Sequence, residues 1–388
     1  MSWTQPAYNQ YQFHVELSNI CNAACPICPR YWAGSKITRP GLMPTSISEK
    51  QFKEWFPPDI MSNRVDRMML CGNQGDPFAA KDIIGILDYC ASVLPSNRQL
   101  VTHSNGGLRS EEVWREAGNI LQGNEKWYMW FSIDGLEDTN HLYRRNVNWD
   151  KLMRNATAFI EAGGTAYWDF LVFKHNEHQI EDVKKLAKEM GFKNVRIKNP
   201  DGLVWDNKIQ KRGVYDGNGE LEYYIEVADD PQYINAPIGM ERNLEDPTPS
   251  VGRPPEKWED LYTEDHYKQY QWHRINCKSL KKTGSEIMIQ CDGTVMPCCY
   301  IGELWTSGRQ DDAKRQLVNM WDMENLDLTK NGFDHIMNYL DSTIMNSWKF
   351  STYQEGKCMY CAKICGDNSP IDRLIHTKAG PGHDKISI

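Results

Sequence analysis

A chain of 388 residues, 40% hydrophobic and 25% charged, has the composition of an ordered globular protein and the length for two domains or for one large barrel with an appendage. Its 44 Lys and Arg against 52 Asp and Glu give a formal net charge of −8, which excludes a strongly basic nucleic-acid binder and argues against a nucleic-acid partner. The opening residues, MSWTQPAYNQYQF, carry neither a basic nor an apolar targeting segment, and no apolar run approaches the ~18 residues that cross a bilayer, so a soluble cytoplasmic protein without a membrane partner is expected.

In chain order, strand-like and helix-like segments alternate from about residue 10 to 200. Period-two and apolar runs predict strands over 12–17, 67–71, 99–103, 127–133, 166–173 and 194–197. Helical periodicity predicts helices over 48–56, 82–94, 110–121, 150–162 and 176–190. The first opens on Ser48 and Gln51, a capping-box pair; the last opens on Asn176 with Gln179 and stops at Gly191. Such alternation predicts right-handed βαβ units around a parallel sheet. Six units are fewer than a closed eight-fold barrel needs, so the expected fold is α/β, a partial (β/α)6 TIM-like barrel over 1–205. Residues 206–275 hold Pro231, Pro237, Pro247, Pro249, Pro254 and Pro255 and read as a connecting segment. Residues 276–388 form a small cysteine-rich C-terminal unit.

Twelve cysteines are many for a reducing compartment, where they bind metal or do chemistry more often than they form disulfides. Cys71 and Cys90 stand alone in apolar surroundings and read as core residues. Cys21, Cys25 and Cys28 form C-x3-C-x2-C directly after the first predicted strand, where parallel barrels place their chemistry. Three thiolates on one short loop can hold three corners of a [4Fe–4S] cubane, which normally takes four cysteines, and leave one iron open. Zinc is the alternative, but structural zinc prefers paired C-x2-C units, and no nearby His or second pair completes this loop.

The stretch ELSNICNAACPICPR resembles the signature of the radical S-adenosylmethionine (SAM) enzymes. The resemblance implies that the open iron is chelated by SAM. An electron from a donor such as flavodoxin or ferredoxin would then cleave the sulfonium, and the resulting 5′-deoxyadenosyl radical would remove a hydrogen atom from substrate. Further matches follow at successive strand ends. Gly72-Asn73-Gln74-Gly75-Asp76-Pro77 stands where the family has a Gly-Gly-Glu-Pro-like turn; Gly75 and Asp76 are thereby implied to meet the SAM ammonium, with Asp in place of the usual Glu. Ser104-Asn105-Gly106 is similar to the family's TNG stretch, with Ser for Thr. Ser132-Ile133-Asp134-Gly135 matches SIDG, which implies that Asp134 accepts the ribose hydroxyls. Arg144 stands where the family often has an arginine for the SAM carboxylate, with Arg145 its immediate neighbour.

In the last third, EIMIQCDGTVMPCCYIGEL predicts a hairpin about Asp292-Gly293 that presents Cys277 and Cys298, and Cys358-x2-Cys361 returns to close a four-thiolate site. This pattern looks like the SPASM/Twitch extension of radical SAM enzymes, which implies one auxiliary [4Fe–4S] cluster on Cys277, Cys298, Cys358 and Cys361. A second cluster, or zinc on the same thiols, stays open. Cys299 and Cys365 are reserve ligands, and Cys291 is expected to be structural. The substrate implied is a peptide or protein, or a small alcohol or sugar. With only 11 residues before the first strand, no leader-binding domain of a peptide maturase is expected in this chain. The competing class is a non-catalytic iron–sulfur or zinc protein that carries electrons or binds a partner. Lys184, Lys185, Lys188, Lys193, Arg196 and Lys198 read as a solvated helix face followed by a strand.

Overall fold

The computed structural model describes residues 2–4, 10–31, 34–39, 42–200, 203–205, 208–209, 211–234, 268–281, 284–306 and 312–367. Six strands follow one another as expected: β1 (Tyr11–Val15), β2 (Val65–Leu70), β3 (Gln99–Ser104), β4 (Trp127–Ser132), β5 (Thr165–Leu171) and β6 (Val195–Lys198). Each pairs in parallel with the next. The helices between them are α1 (Glu49–Trp55), α2 (Pro58–Asn63), α3 (Ile83–Val93), α4 (Glu111–Leu121), α5 (Asn140–Tyr143), α6 (Trp149–Glu161) and α7 (Ile180–Met190).

Alternation along the strands separates two faces. Phe13 of β1 packs on Phe56 beside α1, and Phe131 of β4 packs on Trp114 of α4 and Phe159 of α6. The intervening side chains turn to the opposite face, where Trp130 meets His103 and Tyr167. The helix-side aromatics Phe13, Trp114, Phe131, Phe159, Trp168 and Phe170 are almost completely buried. Each such ring stabilises by roughly 2–3 kcal/mol, so this layer holds the strand ends in register.

Local signals set the helix boundaries. Ser48 and Gln51 form the reciprocal capping box at α1. Gly191, at φ 91°, stops α7 in the left-handed conformation that glycine adopts freely. Asn176 departs from expectation. Its side chain does not cap α7 but turns inward, accepting from Phe173 N and donating to the carbonyls of Asp134 and Leu171. A buried amide has more hydrogen-bonding capacity to satisfy between two strand-end loops than at an exposed helix start.

The sheet does not end with six strands. From the C-terminal third, β12 (Gly284–Ile289) lies parallel beside β1, a seventh parallel strand. It is flanked in antiparallel fashion by β11 (Leu280–Lys281) and β13 (Val295–Met296). The order β11-β12-β1-β2-β3-β4-β5-β6 leaves the barrel open among the described residues. The hairpin about Asp292-Gly293 therefore adds to the barrel sheet instead of standing apart from it. Between β6 and β11 lie two small hairpins, β7 (Val204–Trp205) with β8 (Lys208–Ile209) and β9 (Arg212–Tyr215) with β10 (Leu221–Ile225). Pro237, Pro247, Pro249, Pro254 and Pro255 of the expected connection lie outside the described residues. Helices α8 (Cys299–Thr306), α9 (Asp312–Met320), α10 (Phe333–Leu340) and α11 (Met359–Cys365) follow among the described residues. Tyr11 and Phe13 pack on Phe333 of α10, joining the first strand and the C-terminal third in one core.

Candidate functional site

The loop after β1 is held by its backbone. Asn19 binds the Met43 carbonyl and the Thr45 amide with its side chain, at 2.8 Å each. Ala24 N donates to Arg145 O at 2.9 Å, and Cys28 N to Cys25 O at 3.0 Å. These bonds fix Cys21, Cys25 and Cys28 around one turn, Cys25 buried and the other two half-buried. Burial, then the nearby Asp76 and Cys25, pushes the Cys21 thiol up; burial, then Cys25, pushes the Cys28 thiol to about 12. Burial also raises Cys25, against the pull of Arg144. Thiols this reluctant to ionise become thiolates when a cationic centre takes up the charge.

Two expected residues reach the triad. Asn105, just past β3, points Nδ2 at Cys21 Sγ at 3.6 Å and at Asn22 Oδ1 at 2.9 Å. Arg144, at the end of α5, donates from Nε to Asp134 Oδ2 at 2.5 Å and from a terminal nitrogen to Cys25 Sγ at 3.7 Å. Asp134 is fully buried and also accepts from Leu171 N at 2.6 Å. Burial raises its carboxyl, while Arg144 and Leu171 pull it down. Arg145 runs the other way, to the Tyr215 carbonyl and Glu222 of the β9–β10 hairpin. The two adjacent arginines thus divide cleanly between the thiols and a distant hairpin.

The turn after β2 is tied to the same loop. Glu16 Oε1 accepts from Gln74 N at 2.7 Å and Gly75 N at 3.1 Å, and Asp76 N donates to Ile20 O at 2.9 Å. A Cβ on Gly75 would lie 1.7 Å from Ser18 O, so glycine is needed for the two loops to meet. Asp76 faces inward, accepting from Ser104 Oγ, Asn105 N and Asn105 Nδ2 at 2.8–3.0 Å and capping Phe78 N. Its carboxylate orients Ser104 and Asn105. Burial pushes the Glu16 carboxyl up to about 7, a cost two backbone amides offset only in part. Ser132, at the end of β4, lies opposite Asp169 of β5.

The open face of the sheet carries groups the sequence reading left aside. Asp169 accepts two 2.6 Å bonds from Arg196 and has Lys198 at 3.5 Å. Burial would raise its carboxyl, but Lys198 and Arg196 hold it below the ordinary carboxylate value. Arg196 lies over Trp130, 3.9 Å from the ring centre. Arg196 and Lys198 are partly exposed, and both pair with a buried acid. His103 sits 3.9 Å from Asp169, yet burial pushes it down to about 3, so it is a neutral polar neighbour. The signal for this cluster was the period-two pattern of β4 to β6, which assigns Trp130, Tyr167, Asp169 and Arg196 to one face.

The C-terminal cysteines gather around a second centre. A small apolar cavity is lined by Cys277, Cys298, Cys361 and Cys365, with Trp3, Trp348, Tyr360 and several isoleucines. Cys358 is buried at the start of α11, hydrogen-bonded to Cys361. A hydrogen bond with Cys365, then burial, raises Cys277; burial raises Cys298 to about 12. The bond between Cys358 and Cys361 lowers the first and raises the second. Five thiols, including the reserve residue Cys365, thus form one cluster. Cys299 turns instead toward the sheet beside Glu286, and Cys291 is buried near Glu16 and Asn19. Cys90 is fully buried in the core; Cys71 is half-buried at the end of β2.

No protein-family model and no curated protein matches the sequence. Among solved structures, SuiB of Streptococcus suis bound to S-adenosylmethionine aligns at 15% identity and a TM-score of 0.45, over 74% of this chain and 60% of SuiB. The chain therefore spans less than two thirds of SuiB. The enzyme anSMEcpe with bound AdoMet and Kp18Cys peptide aligns at 12% identity and a TM-score of 0.48, over 94% of each chain. Methylornithine synthase aligns at 13% identity and a TM-score of 0.35, over 49% of this chain and 53% of that one. No helix among the described residues is long and apolar enough to cross a membrane.

Proposed function

We propose that the chain is a radical SAM enzyme, binding a [4Fe–4S] cluster through Cys21, Cys25 and Cys28 and S-adenosylmethionine beside it. The observation that carries this reading is the meeting of three strand-end loops at one thiol triad: Asn105 after β3 on Cys21, and Arg144, paired with Asp134, on Cys25. The donor set fits the group. Three sulfurs on one loop leave a fourth metal corner open. Cluster and SAM, reduced by a donor such as flavodoxin or ferredoxin, supply one-electron sulfonium cleavage and hydrogen-atom abstraction.

The residues have separable tasks. Arg144 offsets thiolate charge at Cys25 and, through Asp134, stays oriented at the ends of β4 and β5. Asp76 fixes the Asn105 amide by two bonds from that residue, so the amide presents to Cys21 without reorganising. Gly75 allows the close approach of the second loop, and Ser132 and Asp134 supply polar groups at the end of β4. The aromatic and charged open face, with Trp130, Tyr167, Asp169 and Arg196, suits a polar substrate, either a peptide or a small alcohol or sugar. An auxiliary iron–sulfur cluster in the C-terminal cavity would take up an electron or anchor substrate. Anaerobically reconstituted protein, reduced and given SAM, is expected to release 5′-deoxyadenosine, with the release abolished by Cys25→Ala. No release from the intact, iron-loaded chain would overturn the reading.

A further inference from the structure

Among the described residues outside both cysteine clusters, one further group of metal-binding side chains stands together. A ring nitrogen of His14, a carboxylate oxygen of Glu286 and the Sγ of Cys299 all lie within 4.8 Å of one another. They come from three elements far apart in sequence: β1, β12 and the first residue of α8. Strand register places Glu286 opposite Gln12, so His14 and Glu286 are diagonal neighbours on the sheet face away from Phe13. Cys299 follows Cys298 at the start of α8, but the turn of the helix sends the two thiols in different directions. Cys298 lines the C-terminal cavity, and Cys299 faces the sheet.

The orientation of His14 gives the second, independent observation. The residue is 5% exposed. Its Nε2 lies 2.6 Å from the Cys71 carbonyl, which can only accept, so Nε2 carries the proton. Nδ1 therefore keeps a lone pair, and it is buried without a hydrogen-bond partner. Native structures rarely leave such an atom unsatisfied. One ring nitrogen donating to a carbonyl, with the other buried and left with a lone pair beside a thiol and a carboxylate, is the arrangement by which proteins orient histidine ligands. Asn73 adds support, donating from Nδ2 to Cys299 O at 3.0 Å and fixing the backbone that presents the thiol.

We propose that His14, Glu286 and Cys299 bind one divalent transition-metal ion, with zinc the best match. The thiolate excludes magnesium and calcium as natural occupants, and a nitrogen, oxygen and sulfur set suits a borderline-soft ion. A thiolate and a carboxylate together neutralise a divalent charge inside the protein. Three protein ligands leave a fourth position for water or an exogenous group, as in zinc sites that do chemistry. The site also ties β12 and α8 to β1.

The test uses the full chain, purified without oxygen and with its iron in place, dialysed against Zn2+ and then against buffer. About one zinc per chain should be retained, with a K-edge absorption shell of one sulfur near ~2.3 Å and nitrogen or oxygen near ~2.0–2.1 Å. His14→Ala and Cys299→Ser should each lower zinc affinity at least ~10-fold, with iron content unchanged. Circular dichroism establishes that the variants are folded, and the absorption shell of the unmodified chain decides the matter if they are not. Absence of retained zinc, a shell with no sulfur or with several, zinc unchanged in both folded variants, or loss of iron in Cys299→Ser would each overturn the assignment.

Discussion

The two cysteine centres are built in opposite ways. At the N-terminal loop, three thiols come from eight consecutive residues, and the groups that touch them are an amide and a guanidinium, Asn105 and Arg144. At the C-terminal cavity, five free thiols come from residues 277 to 365, hydrogen-bond as the pairs Cys277–Cys365 and Cys358–Cys361, and stand among Trp3, Trp348 and Tyr360. Charged and polar neighbours around a sulfur cage suit a site that must hold a polar cofactor. An apolar wall suits a centre that stays dry and unreactive. Under the function proposed above, the difference would give chemistry to the first centre and electron storage or anchoring to the second.

The largest expected effect separates the two centres directly. Cys25→Ala should abolish 5′-deoxyadenosine formation, a loss of at least ~100-fold, while iron held in the C-terminal cavity persists; iron analysis beside chromatography of the product checks both. Loss of all iron would break the claim that the centres are independent. Next, Arg144→Met should destabilise by about 3–5 kcal/mol, because Asp134 is left as an uncompensated buried charge. Denaturant midpoints measure this, and adding Asp134→Asn should recover part of the loss.

The second centre is sharpened by choosing among its thiols. Cys365 lines the cavity and Cys358 is not among its lining residues, so Cys365→Ser should remove the auxiliary iron and Cys358→Ser should remove less of it. The reverse ranking would restore the spacing-based set of Cys277, Cys298, Cys358 and Cys361.

Glu16 offers a pH test of the first. Its folded carboxyl is raised to about 7 from an ordinary 4.5, so its favourable contribution is complete below 4.5 and is lost as pH rises through 7. Glu16→Gln should flatten that window and gain up to about 3 kcal/mol relative to the parent above pH 7. The smallest effect is a control. Ser48→Ala removes the α1 cap, costs about 1 kcal/mol in thermal or denaturant unfolding, and should leave both centres intact.

Much of the first centre was legible because its parts are local. Each strand-end motif sits within a few residues of a period-two run, and the alternation predicts that those ends share one side of a parallel sheet. The orientations of Arg144 and Arg145 were not legible, since both follow a single helical turn and only the β9–β10 hairpin distinguishes them. The inward turn of Asn176 was masked by its likeness to a helix cap. The Asp169–Arg196–Lys198 cluster was hidden for another reason: a charged strand reads as solvated unless the acid on its neighbour is known. The largest omission was β12 beside β1. Alternation along the chain reveals only neighbours in sequence, and this partner lies some 270 residues away.

That last pairing bears on biosynthesis. While the protein emerges from the ribosome, β1 can acquire β2 on one side, but its other edge has no neighbour until Ile289 has been translated. At bacterial-like elongation rates the wait is roughly 15 seconds or longer, during which an apolar strand margin and the thiol loop beside it stand unguarded. Metal insertion into that loop before translation ends would need a delivery system able to reach a half-built sheet; insertion afterwards would find the edge already sealed.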